Sequence, residues 1–100
     1  MNTDIYILSI QEYFKTKPVL KAYFFGSILS NQFSDKSDID ILVDLDYQNG
    51  GGDFYTYIQM QEDLMHITKR KIDLVSSNGV SKFIKENIDL NKELIYERKR

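Results

Sequence analysis

The stretch Ala22-Tyr23-Phe24-Phe25-Gly26-Ser27, followed after ten residues by Asp38-Ile39-Asp40-Ile41-Leu42-Val43-Asp44, decides the reading of this chain. Residues two apart in a strand share a face, so Asp38 and Asp40 project together, roughly 7 Å apart along the chain. Ile39, Ile41, Val43 and Leu45 take the opposite face. The carboxylate face continues through Leu42, Asp44 and Asp46. Asp is a poor strand former. Two unit charges at that separation repel by roughly 0.6 kcal/mol in water and about 2.4 kcal/mol at an effective dielectric of about 20. A divalent cation turns the repulsion into attraction, and Mg²⁺ suits one or two carboxylates supplemented by phosphate oxygens and water. The ordinary alternative is a half-buried strand with a solvated acidic face.

Gly26 ends an apolar run and lets the backbone approach a ligand closely. Ser27 is placed to open a helix whose free N–H groups and hydroxyl face an anion. Alone, Gly-Ser reads as a turn. Beside the paired aspartates it describes a phosphate cradle next to a metal site, which is what phosphoryl or nucleotidyl transfer requires.

With their apolar flanks, Gly26-Ser27 and Asp38-x-Asp40 resemble the signature of the DNA polymerase β-like nucleotidyltransferase superfamily. The setting through Ser37 and Val43 is closer still to the minimal nucleotidyltransferases, small domains of which many are antitoxins encoded beside a HEPN-domain toxin. The resemblance implies an α/β (α+β) nucleotidyltransferase fold: a small mixed sheet of three to four strands packed against helices. It implies two Mg²⁺ ions, ATP as nucleotide donor, and Asp38 and Asp40 as metal-holding catalytic residues. A third carboxylate is implied on a neighbouring strand, and Asp73 in Ile72-Asp73-Leu74-Val75 occupies the matching place. Asp73 would bind the ion nearer the attacking hydroxyl and accept its proton. Gly26 and Ser27 would hold the β- and γ-phosphates, with Ser37 and Lys36 as further nucleotide contacts. The implied partner is a HEPN-domain toxin, an RNase, with a tyrosine that receives AMP.

One departure matters. Many minimal nucleotidyltransferases follow Gly-Ser with an arginine, whereas this chain reads Ser27-Ile28-Leu29-Ser30-Asn31 and its first arginine is Arg70. The missing guanidinium removes a bidentate phosphate clamp that Lys21 or Lys36 replaces only in part. Two further readings therefore stand beside the enzyme: a binding module that neutralises a toxin by contact alone, and a transferase acting on a small molecule such as an aminoglycoside.

With 100 residues, the chain is read as one minimal nucleotidyltransferase domain over 1–100, with no room for a separate acceptor-recognition domain. A net charge of −2 offers no field for nucleic acid, so direct DNA binding is not expected. The absence of cysteine excludes disulfides and thiolate metal sites. Neither a signal peptide nor a membrane span is recognised, and a cytoplasmic location is expected.

Along the chain, a helix is predicted from about Thr3 to Thr16 with Ile5, Ile7, Leu8, Ile10 and Phe14 inward, ended by Pro18. Tyr6 and Tyr13 are read as packing residues. Strands are predicted at Val19–Phe25, Asp38–Asp46 and Ile72–Val75, with a short helix from Ser27 to about Gln32. Lys21 marks an open position in the first strand. After the loop Asn49-Gly50-Gly51-Gly52, Asp53 caps a helix reaching about Lys69, with Phe54, Tyr57, Ile58, Leu64 and Met65 inward. Met60 reads as core filler, and His66, without a second ligand nearby, as no metal site. Lys69-Arg70-Lys71 suits a helix C-terminus, with a nucleotide or RNA contact as the alternative. Val80, Phe83, Ile84 and Ile88 form a helical stripe, Leu94-Ile95-Tyr96 an edge strand, and Glu97 to Arg100 a frayed charged tail.

Overall fold

The computed structural model describes residues 4–79 and 82–99, without the side chains of 82–85 and 89. Among these, the elements run α1 (Asp4–Phe14), β1 (Val19–Phe25), β2 (Ile39–Leu45), α2 (Phe54–Thr68), β3 (Ile72–Ser76), α3 (Lys82–Asn91) and β4 (Glu93–Glu97). The strands form one sheet in the order β3-β2-β1-β4, with β2 parallel to β3 and the other pairs antiparallel. This is the expected small mixed sheet, with β4 on its edge.

Chemistry and register explain the arrangement. Val19-Leu20-Lys21-Ala22-Tyr23-Phe24-Phe25 is rich in β-branched and aromatic residues and pairs with β2 on one side and β4 on the other. Parallel strands need a crossover, which α2 supplies between β2 and β3. Ile39, Ile41 and Val43 of β2, Ala22 and Phe24 of β1, and Ile72 and Leu74 of β3 all enter the main core. Ile10 and Phe14 of α1 and Met60 and Leu64 of α2 close it from one side of the sheet. Each fully buried side chain of the Ile or Phe kind contributes roughly 1.5–3 kcal/mol. The other face carries Tyr23 and its register partner Leu42, and Lys92, just beyond α3, stacks over the Tyr23 ring at 4.2 Å. The chain just after α3 thus lies against this second face at Tyr23, and α3 itself contacts the turn that follows β1.

Two predicted stripes were too broad. Ile5 and Leu8 are 63% and 70% exposed, and Phe54 and Ile58 are 73% and 43% exposed. A helix buries only a limited arc, and here the buried lines pass through Ile10 and Phe14 in α1 and through Met60, Leu64 and Thr68 in α2. α1 stops at Phe14, where Lys17 donates to the Phe14 carbonyl ahead of Pro18. Val80 and the side chains of Phe83 and Ile84 lie outside the described residues; Ile88 is buried.

The C-terminal segment is not frayed as far as it is described. Arg98 donates from its backbone to Leu20, from Nη1 to Asp46 Oδ2 at 2.5 Å, and from Nη2 to the Lys17 carbonyl at 2.8 Å. This ties the end of β4 to the loop after α1 and to the end of β2. Asp46 therefore leaves the acidic face of β2, and its carboxylate is held by Asn49 and Arg98. Among the described residues no helix is long and apolar enough to cross a membrane.

Candidate active site

β2 alternates as expected. Asp40 and Asp44 are half-buried on the face opposite the fully buried Ile39, Ile41 and Val43. Asp38 stands one residue before the strand and is exposed. β3 pairs in parallel so that Asp73 is the register partner of Asp40, and laterally paired residues point to the same side of a sheet. Asp73 is exposed, because β3 is an edge strand and this face is open there. Register, not burial, sets its place.

Electrostatics tie the three together. The Asp40 carboxyl is pushed up to about 6, first by burial, then by the charge of Asp73, then by that of Asp38. All three carboxylates thus act on one region of negative potential. Among the described residues no group of three or more histidine, cysteine, aspartate or glutamate side chains is gathered so that it could hold a metal ion, so the three aspartates do not form a ready-made metal site. Mutually repelling carboxylates spread apart, and a magnesium-type site completes its shell with water and phosphate oxygens. The register pair Asp40 and Asp73 offers hard carboxylate oxygens of the kind divalent cations take, with Asp38 acting on Asp40 from the preceding loop.

The turn at Gly26 meets this cluster directly. Phe25 is the register partner of Asp40, so the chain leaves β1 beside that carboxylate. Gly26 has φ +75°, and a Cβ there would collide with Asp40 Oδ2. Conformation and space both demand glycine. The predicted helix after it is a single 3₁₀ turn, Gly26–Leu29, with Phe25 rather than Ser27 in the capping position. The Ser27 carbonyl accepts from the backbone and hydroxyl of Ser30, while its own hydroxyl makes no hydrogen bond among the described residues.

Ser37 and Lys36 lie in the loop leading to Asp38. Ser37 Oγ accepts from the Ser34 amide at 3.1 Å, and the Lys36 amide donates to Ser34 Oγ, so both residues help close this loop on itself. The Lys36 side chain is exposed and makes no ion pair among the described residues. Lys21 stands beside Asp44 in register, with its ammonium 3.5 Å from Glu97. A cavity of about 750 Å³ between α1 and β4, lined by Gln11, Lys15 and Tyr96 among others, contains none of the three carboxylates.

Two residues near the site were not read as such in the sequence. Tyr57 of α2 donates to the Leu74 carbonyl and is raised above the usual tyrosine range by burial and then by Asp73, so it buttresses the strand that carries Asp73. Arg70 turns inward rather than serving as an exposed helix-end charge. It donates to the carbonyls of Ser34 and Ser37, both at 2.6 Å, and packs over the Phe33 ring. Its position two residues before β3 was the available signal, but local charge pattern does not reveal a partner 33 residues away.

Fold and site together define a nucleotidyltransferase. Residues 9–100 match the family described as polymerase beta, nucleotidyltransferase, and the chain belongs to that family. Two Methanocaldococcus jannaschii proteins, provisionally named protein adenylyltransferases, are similar in sequence. One is 33% identical over 73 residues, covering 72% of this chain and 70% of the relative. The other is 32% identical over 88 residues, covering 87% and 82%. Among solved structures, a toxin–antitoxin complex with AMP-PNP superposes with a TM-score of 0.72 at 17% identity, covering 98% of this chain and 76% of that one. The MntA-HpeT toxin–antitoxin, in a mutant form, gives 0.68 at 16%, covering 99% and 75%. A protein described as a minimal nucleotidyltransferase gives 0.63 at 21%, covering 86% and 82%. At these identities the structural likeness speaks for the fold.

Proposed function

We propose that this protein transfers AMP from ATP to a hydroxyl of a protein partner, a tyrosine of a HEPN-domain toxin, and thereby acts as an antitoxin. The observation that carries the reading is the register pairing of Asp40 with Asp73 against the Gly26 turn, with Asp38 two residues before Asp40. The names of the sequence relatives and of the toxin–antitoxin structures support the donor and the kind of partner.

In this reading Asp38, Asp40 and Asp73 would hold two Mg²⁺ ions, whose chemistry when bound would be to neutralise charge on the attacking and leaving oxygens. Gly26 lets the turn lie directly against Asp40, and the Gly26 backbone and Ser27 hydroxyl beside it would hold the β- and γ-phosphates. Asp73, exposed at the sheet edge, is the carboxylate an incoming hydroxyl reaches, and it takes that proton. The acceptor oxygen forms a bond to the α-phosphorus as the bond to the β-phosphate bridge breaks, and pyrophosphate leaves with the electron pair.

A contact-only antitoxin is favoured by one observation. No arginine lies between Ser27 and Arg70, Arg70 is committed to a loop, and Arg98 to Asp46. Incubation with Mg²⁺, α-labelled ATP and the protein encoded next to it separates the two. Label on that neighbour, lost with Asp38→Asn plus Asp40→Asn, supports transfer. Tight binding without label supports contact alone and overturns transfer.

A further inference from the structure

The segment joining α2 to β3 grips the residue before and the residue after Asp38. Ahead of it, the carbonyl of the Ser37–Asp38 peptide accepts from Arg70 Nη2 at 2.6 Å. Behind it, the Ile39 amide donates to the Lys71 carbonyl at 2.9 Å. Arg70 Nη2 also reaches the Ser34 carbonyl at 2.6 Å, at the other end of the four-residue turn. That turn is already closed by Ser37 N donating to Ser34 O and Ser34 N donating to Ser37 Oγ. The guanidinium is itself held in place: Nη1 donates to the Tyr6 hydroxyl at 3.1 Å, and its Cζ lies over the buried Phe33 ring, 4.5 Å from the centroid.

We infer that Arg70 is a positioning residue for the Asp38 carboxylate, setting it against Asp40 and Asp73 through the backbone of the Ser34–Ser37 turn. Asp38 lies outside β2 and is exposed, so the β1–β2 ladder does not hold it. What fixes its backbone is the two-residue grip of Arg70 and Lys71. The same short segment then continues into β3 and presents Asp73. One junction therefore sets the spacing of two carboxylates. Arginine suits the task because its planar fork serves two carbonyls and a hydroxyl at once while stacking on an aromatic face; a lysine ammonium does not reproduce that geometry.

This inference rests on the metal-dependent reading of the site, and its test separates the two. Mg²⁺·ATP is titrated into the wild-type chain, Arg70→Ala, Arg70→Lys, Asp38→Asn and the double variant Arg70→Ala with Asp38→Asn. Amide resonances of Gly26 and Ser27 follow weak as well as tight binding, and an unfolding curve is recorded for each variant. Loss of a group that orients a metal ligand costs about 10–100-fold in affinity. Arg70→Ala should weaken binding by at least about tenfold, with Arg70→Lys failing to restore it. In the Asp38→Asn background, Arg70→Ala should add almost nothing, because the carboxylate it orients is gone. Losses that multiply, or Arg70→Ala binding like the wild type, overturn the inference. If Arg70→Ala does not fold, Arg70→Lys carries the same cycle. A wild-type chain that binds no Mg²⁺·ATP overturns the metal-dependent reading itself, and the inference with it.

Discussion

The carboxylate of Asp40 fills the space that a Cβ on residue 26 would need. The turn out of β1 and the central acidic residue of β2 are thus shaped to each other, and nothing larger than glycine fits at 26 while Asp40 keeps its place. Gly26→Ala must distort the positive-φ turn, displace Asp40, or both. The expected cost is roughly 1–3 kcal/mol of stability for the backbone conformation alone. Chemical denaturation measures it, and loss of Mg²⁺·ATP binding should accompany it.

Asp40 should make the metal-free protein more stable in mild acid. Its carboxyl is raised to about 6, so between the usual carboxylate range and 6 the folded chain binds more protons than the unfolded one. Stability then falls as pH rises through that window, and the penalty is complete above it. The shift corresponds to about 3 kcal/mol at face value, which solvent screening of this half-exposed group reduces to on the order of 1 kcal/mol. Asp40→Asn should accordingly unfold at a higher temperature than the wild type at pH 7.5, with the advantage gone near pH 4. Thermal melts across that range check the sign.

The same cluster offers a test that needs no activity. Asp73→Asn should lower the Asp40 carboxyl towards its usual range, and Asp38→Asn should lower it by less, following the order of their influence. Carboxyl-carbon NMR titration reads both. An Asp40 carboxyl unmoved by Asp73→Asn would contradict the shared face of β2 and β3.

At the opposite end of β2, the pH dependence runs the other way. Asn49 and Arg98 hold the Asp46 carboxyl below the usual range. Its contribution is present above that range and is lost as pH falls through the lowered value. Arg98→Ala should lower the unfolding temperature at pH 7 and have a smaller effect at pH 2.5. Hydrogen exchange should show β4 opening first, since Arg98 is what ties it to Asp46 and Lys17.

Lys69 ends α2 in a left-handed conformation at φ 58°, a position glycine prefers. Lys69→Gly should stabilise the protein by roughly 0.5–1 kcal/mol, measured by denaturant midpoint.

The alternation Asp38, Ile39, Asp40, Ile41 was enough to identify β2 and its two faces, because strand periodicity is a local property. Val19–Phe25 and the helix after Asp53 were legible for the same reason. Helix ends and buried arcs were less so: Ile5, Leu8, Phe54 and Ile58 are apolar yet face outward, since which arc is buried depends on the partner surface.

The residue types of the site and their order along the chain were determined by the sequence alone: a glycine at 26, and aspartates at 38, 40 and 73. Tertiary structure decided that Asp73 lies beside Asp40, that Arg70 holds the turn before Asp38, and that Arg98 closes the sheet against Asp46. Each depends on strand register or on a contact across 33 or more residues, and periodicity within one segment carries no information about the lateral neighbour it will meet.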